Sequence, residues 1–141
     1  MKTPKVHKTH NVKNPPKRIK IYSVDFIFDF IRKNPHEPYY IDEDGNRCKL
    51  RRAKIYFEKG LICAETDCNL VGSFFALERW ANQKDQTFGN YHFDLYAIDE
   101  VGEEVLMTID HVHPKSKGGP DHILNYQPMC KVHNELKSNK V

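Results

Sequence analysis

The stretch from Ile109 to Lys137 constrains this chain more than any other part of it. An acid and a histidine, Asp110-His111, end a short run (Val105-Leu-Met-Thr-Ile109) that reads as a strand. Fourteen residues after the histidine, Asn125 closes a loop whose residues 113–122 are rich in Pro, Lys and Gly. A short strand near Tyr126–Met129 follows. A final helix from about Lys131 then presents His133 and Asn134 just beyond Cys130. Phosphodiester hydrolysis needs a base to take a proton from water and a cation to neutralise charge on the phosphate and the leaving oxygen. Histidine, with a reference pKa near ~6.5, accepts that proton at neutral pH. A carboxylate and an amide oxygen are hard ligands suited to Mg²⁺. Asp110, His111 and Asn134 supply these parts if the strand and the helix pack together.

The remainder of the chain narrows the setting. At 141 residues there is room for one domain with a tail, but not for two full-sized ones. Eight Phe, seven Tyr and one Trp support a small core, which excludes low-complexity and collagen-like readings. No stretch approaches the ~18–20 consecutive apolar residues of a membrane span. The start, Met1-Lys-Thr-Pro-Lys-Val-His-Lys, has no apolar core after its cations, which argues against a secretory signal. The expectation is a soluble, cytoplasmic protein. There Cys48, Cys63, Cys68 and Cys130 stay reduced, and metal binding is favoured over disulfides.

The net charge of +3 conceals an asymmetry. Lys2, Lys5, Lys8, Lys13, Lys17, Arg18 and Lys20 are accompanied by no acid in the first twenty residues, so the rest of the chain is net acidic. Residues 1–20 therefore read as a basic flexible arm, stiffened at Pro15-Pro16. Such an arm either meets a polyanion or is an ordinary solvated terminus. Residues 21–59 read as an N-terminal extension. Its helix runs over Val24–Ile31, with Ser23 as N-cap and Asn34-Pro35 as stop. A hairpin follows around Asp44-Gly45, and Arg51–Glu58 is compatible with helix or strand. Residues 60–141 form the third part. Within it Phe74–Trp80 reads as a short helix or as a strand leading into one. Tyr91–Tyr96 reads as a half-buried strand, with His92 and Asp94 on its polar side in a supporting role.

The C-terminal segment resembles the HNH endonuclease family, a ββα-metal (His-Me finger) fold, and especially the small zinc-containing form of phage and bacterial genomes. Asp110-His111, Pro114, Gly118-Gly119, Asn125, Met129-Cys130, Asn134 and Lys137 match that motif in order. Weaker echoes run upstream through Gly60-Leu-Ile-Cys63, Phe74–Glu78 and His92–Tyr96. The resemblance implies an α+β fold, a ββα-metal core with an N-terminal α/β extension stapled by a structural zinc. It also implies a metal-dependent DNA endonuclease. His111 would be the general base, and Asp110 and Asn134 would hold a catalytic Mg²⁺, Mn²⁺ or other divalent ion that stabilises the leaving 3′ oxygen. Asn125 would pin the loop and help orient His111.

The chain departs from the usual motif at one place, where His133 replaces the second cysteine of a Cys-x-x-Cys pair. Cys63-x₄-Cys68 and Cys130-x₂-His133 together make a Cys₃His set, an accepted composition for closed structural zinc. Cys130 and His133, three residues apart, share a helix face, whereas His133 and Asn134 lie ~100° apart. Two alternatives remain at this stage: His133 serves the catalytic ion, or Cys48 is the fourth zinc ligand. Lys115, Lys117 and Lys137 are candidates for contact with the DNA backbone, against the alternative of a solvated face. A catalytically inactive, zinc-stapled nucleic-acid-binding module is the competing reading of the whole. Oligomeric state is not legible.

Overall fold

A computed structural model describes residues 16–81 and 88–138; residues 1–15 of the basic arm, with Lys2, Lys5, Lys8, Lys13 and Pro15, lie outside that range. The elements run β1 (Lys17–Ser23), α1 (Val24–Lys33), β2 (Tyr39–Ile41), β3 (Arg47–Lys49), α2 (Arg51–Lys59), β4 (Gly72–Ala81), β5 (Phe88–Ile98), β6 (Glu104–His111), β7 (Tyr126–Cys130) and α3 (Lys131–Ser138). The sheet order is β1-β4-β5-β3-β2, with β6 pairing β5 and β7 pairing β6. All pairs are antiparallel except β3 with β5. No helix among the described residues is long and apolar enough to cross a membrane.

Local chemistry explains the helices. The Ser23 hydroxyl accepts a 3.0 Å hydrogen bond from the Phe26 N–H, satisfying one of the free donors of the first turn. Ile27 and Ile31, four apart, are buried, and Asn34 closes the last turn through its backbone N–H to Phe30 and Ile31 oxygens. Arg51–Lys59 is a helix, because Leu50, Ala53 and Tyr56 bury with a spacing of three, and Gly60, at φ 94°, ends it in a conformation that favours glycine. Both helices pack on the sheet around Phe75, Leu77, Phe93 and Leu95. Phe74–Trp80 is wholly strand: β4 pairs along most of its length with β5, giving its backbone groups partners that a short helix would not have supplied.

The arm is shorter than the sequence reading has it. Lys17, Arg18 and Lys20 belong to β1, which lies along β4 from Lys17↔Arg79 to Ser23↔Phe74. Their charges are used locally. Arg18 donates from Nε to Glu78 Oε2 (3.0 Å) and from its two terminal nitrogens to the Glu104 carboxylate (3.1 and 2.8 Å). The boundary read at residue 59/60 falls inside one continuous sheet, since β1 pairs with β4 and β3 with β5.

The polar side of β5 is not solvated. Asp94 and Tyr96 are buried, and with Glu78 they form a network in which the Tyr96 hydroxyl donates to Glu78 Oε1 at 2.7 Å. The Arg52 guanidinium and the Trp80 indole N–H donate to the two Asp94 oxygens at 2.9 and 3.3 Å. Burial, reinforced by the neighbouring Asp94 carboxylate, pushes the Glu78 carboxyl up to about 7. The folded state therefore holds an extra proton between the ordinary carboxylate range and neutrality, so stability falls as pH rises through that window. Replacing Glu78 with Gln removes the ionisation. Relative to wild type, Glu78→Gln gains roughly 1–3 kcal/mol between about pH 5 and about pH 8, read by urea unfolding at both values. A difference independent of pH contradicts the assignment.

Candidate active site and metal centre

Two knuckles meet where β7 passes into α3. The turn between α2 and β4 is held by the Cys63 N–H to the Leu70 oxygen (3.0 Å) and the Gly72 N–H to the Leu61 oxygen (2.8 Å). Asp67 takes a left-handed conformation (φ 69°) just before Cys68. The Ala64 N–H ties this turn to the Pro128 oxygen of β7 at 2.8 Å. The ligand atoms of Cys63, Cys68, Cys130 and His133 consequently lie within 4.8 Å of one another. His133 Nδ1 is 3.1 Å from Cys130 Sγ and 4.0 Å from Cys63 Sγ, and the Cys130 N–H donates to Cys63 Sγ (3.3 Å).

This cluster is compatible with a structural zinc. Tetrahedral bonds of ~2.3 Å to sulfur require sulfur atoms about 4 Å apart, a distance that the 4.8 Å limit on the cluster accommodates. Burial, with the neighbouring thiols, pushes Cys130 up to about 12, and burial also raises Cys68. The Cys130 and Cys68 thiols thus stay protonated unless a cation stabilises their thiolates, which is what a coordinated metal does. Cys48 lies apart from the cluster, buried in β3 with its sulfur 3.5 Å from the Asn46 oxygen.

The register of β6 against β7 sets the second centre. Asp110 faces Gln127, His111 faces Tyr126, and Thr108 faces Met129. Asp110 Oδ2 accepts from Gln127 Nε2 (2.9 Å) and from Lys137 Nζ (2.6 Å), and the same ammonium reaches the His111 carbonyl at 2.9 Å. Lys137 therefore turns toward the carboxylate rather than outward. Asn134 Nδ2 donates to Thr108 Oγ1 (2.8 Å), and that hydroxyl donates to the Met129 oxygen (2.7 Å). The chain of donors leaves the Asn134 carbonyl oxygen as its remaining polar atom. Asp110, His111 and Asn134 all line one cavity of about 380 Å³.

His111 sits edge-on to Tyr126 at 5.3 Å, and its Nε2 is 2.7 Å from Asp121 Oδ1. Hydrogen bonds from His111 and then Lys115, which lies 3.2 Å from Asp121, hold the Asp121 carboxyl below its usual range. The loop above is fastened by Asn125. Its Oδ1 accepts from the His113 N–H (2.8 Å), and its Nδ2 donates to the His113 and Pro120 oxygens (3.1 and 2.9 Å). Gly119 makes this packing possible, since a Cβ there would lie 1.8 Å from the His113 oxygen. Lys115 and Lys117 lie in the exposed turn of this loop.

Residues 98–140 match the HNH endonuclease family model. The chain carries an HNH endonuclease domain. Within that domain β6, β7 and α3 supply a strand–strand–helix unit. The chain is also similar to the Ribosomal RNA large subunit methyltransferase K/L of Buchnera aphidicola subsp. Acyrthosiphon pisum (strain APS), 27% identical over 119 residues. The similarity covers 80% of this chain but 16% of that relative, so the chain spans less than a fifth of the relative's length. No solved structure matches.

Three contacts of the HNH domain escape sequence reasoning: Asp121 on His111, Gln127 on Asp110, and Thr108 on Asn134. Thr108 carried a signal, because it shares a strand face with Asp110 at a spacing of two. Asp121 and Gln127 carried none, since loop closure and strand register decide their partners.

Two outcomes are expected. Metal analysis should find one zinc per chain. Cys130→Ser should lose it and destabilise the fold by on the order of 3 kcal/mol or more, while Cys48→Ser keeps it. Gly119→Ala should cost roughly 1–3 kcal/mol in thermal unfolding, because the Cβ displaces the loop backbone that Asn125 holds.

Proposed function

We propose that this chain is a metal-dependent DNA endonuclease that hydrolyses phosphodiester bonds, with His111 as general base. The observation that carries the reading is the convergence of Asp110, His111 and Asn134 on one cavity. With Nε2–H donated to the ionised Asp121, Nδ1 bears the lone pair and can take the proton of an attacking water. Asn125 holds the loop that carries Asp121 and Lys115, so it positions the base indirectly.

The donor set fits a hard divalent ion. The Asp110 carboxylate and the Asn134 carbonyl oxygen are its candidate ligands, and the Lys137 ammonium 2.6 Å from Asp110 supports this reading as a cation already held there. When bound, such an ion stabilises negative charge on the scissile phosphate and the leaving 3′ oxygen. The Cys₃His cluster is a separate, structural zinc site; His133 serves it, and Asn134, the next residue, faces the cavity. Lys115 and Lys117 meet the phosphate backbone from the loop.

The test is plasmid nicking with Mg²⁺ or Mn²⁺, with a ribosomal-RNA fragment alongside because the Buchnera relative is named for ribosomal RNA. His111→Ala, checked for unchanged circular dichroism, should lower the rate by ~100-fold or more. Equal activity of the variant refutes the mechanism. A wild type inert on every metal and substrate, yet binding DNA with steep salt dependence, supports the inactive binding module instead.

A further inference from the structure

A second and larger cleft opens on the other side of His111. On one edge of β5, strand β3 pairs only as far as Lys49↔His92, and β6 takes up pairing at Tyr96↔Leu106. Phe93–Leu95 is left as the floor of a gap between α2 and β6, a cleft of about 810 Å³ that ends at His111, Lys115 and Asp121. His111 lines both this cleft and the smaller cavity that holds Asp110 and Asn134.

The lining has two chemistries. The walls are apolar and aromatic, with Ile55, Tyr56, Ile109 and Tyr126 among them. Arg51 and Arg52 stand at one end, both exposed, and Lys115 stands at the other. Asp94, at the base and 3% exposed, bonds the Arg52 guanidinium with one oxygen and the Trp80 indole N–H with the other. A carboxylate buried for this purpose holds a cation and an aromatic ring in place before any ligand arrives. His92, beside them, has a buried Nε2 with no hydrogen-bond partner among the described residues, the Asp94 carboxylate lying 3.7 Å away. Burial, followed by the charge of Arg52, lowers its imidazole to about 4, so it is neutral and adds no charge at physiological pH.

We propose that this cleft receives one unstacked nucleotide of the substrate strand, adjacent to the phosphate presented to His111. The proposal deepens the nuclease reading and rests on it. Fixed aromatic rings suit the face of a base, and cations at both ends suit the phosphates on either side of it. The volume lies in the range of pockets that enclose a small ligand. A paired duplex, with its bases stacked inside, has no group narrow enough to fill the gap. The cleft therefore selects single-stranded or locally unpaired DNA, and Arg51, Arg52 and Trp80 determine that preference.

Trp80 is the single tryptophan of the chain, so its fluorescence reports on the cleft directly. The full-length protein, with its structural metal in place and no divalent ion added, is titrated with a short single-stranded oligodeoxynucleotide and, separately, with the same sequence as a blunt duplex. Binding of each labelled DNA is followed in parallel by anisotropy. Saturable quenching of Trp80 by the single strand is expected, with a midpoint about ten-fold lower than for the duplex. Arg51→Ala should raise the single-strand midpoint several-fold, and Arg52→Ala should do the same. Because the guanidinium that bonds Asp94 is that of Arg52, the Arg51 variant remains informative if Arg52→Ala loosens the buried network. Anisotropy showing DNA bound while Trp80 emission is unchanged, or equal quenching by strand and duplex, overturns the proposal even if His111-dependent nicking is observed. Trp80 quenching in a protein that cleaves nothing leaves the cleft assignment standing and removes the nuclease reading.

Discussion

The fold of this chain depends on bringing Cys63 and Cys68 to Cys130 and His133. The first pair lies in a turn with little regular structure, and the second lies at the junction of the last strand and the last helix. Backbone bonds from Cys63, Ala64 and Gly72 shape the turn and fasten it to β7. Burial of Cys130 disfavours its thiolate, and a bound cation would offset that cost. The helix so anchored is short, with no fully buried side chain among its eight residues. Packing alone gives it little hold, and the cluster sets the position from which Asn134 and Lys137 reach β6.

Two neighbouring positions on that helix face different chemistries for a geometric reason. Successive helical residues diverge by ~100°, so His133 turns to sulfur and Asn134 to the Thr108 hydroxyl on β6. The strand contributes in the same way. Asp110 and Thr108 share one face, while His111 points to the other and meets Tyr126 and Asp121. A carboxylate, an amide oxygen and an imidazole thereby surround one cavity without competing for the same space.

The centre of the sheet is polar where a small core would ordinarily be apolar. Glu78, Asp94 and Tyr96 are buried together and are satisfied by Arg18, Arg52 and Trp80, which arrive from β1, α2 and β4. Burying carboxylates is costly unless donors meet them, and here Arg18 ties β1 to Glu78 of β4 while Arg52 and Trp80 tie α2 and β4 to Asp94 of β5. This network bounds the large cleft beside His111, so the side chains that stabilise the sheet are also the ones that shape the space next to the reacting group.

Much of the site could be read before any coordinates. Asp110-His111 at a strand end, Asn125 closing a Gly-Gly loop and the Cys-x₂-His-Asn helix start are local patterns, and each is set by a spacing along one element or one turn. The helix cap at Ser23 and the hairpin at Asp44-Gly45 are local in the same sense. Tertiary structure alone decided what depends on partners distant in sequence. Phe74–Trp80 became strand because β5 was there to pair with it. Lys17–Lys20 joined the sheet because Glu78 and Glu104 could receive Arg18. Lys137 turned inward because β6 put Asp110 within its reach. Chain order specifies which chemical groups the protein owns and how neighbours are oriented; the pairing of strands and the burial of charge, which involve the whole chain at once, specify which of those groups meet.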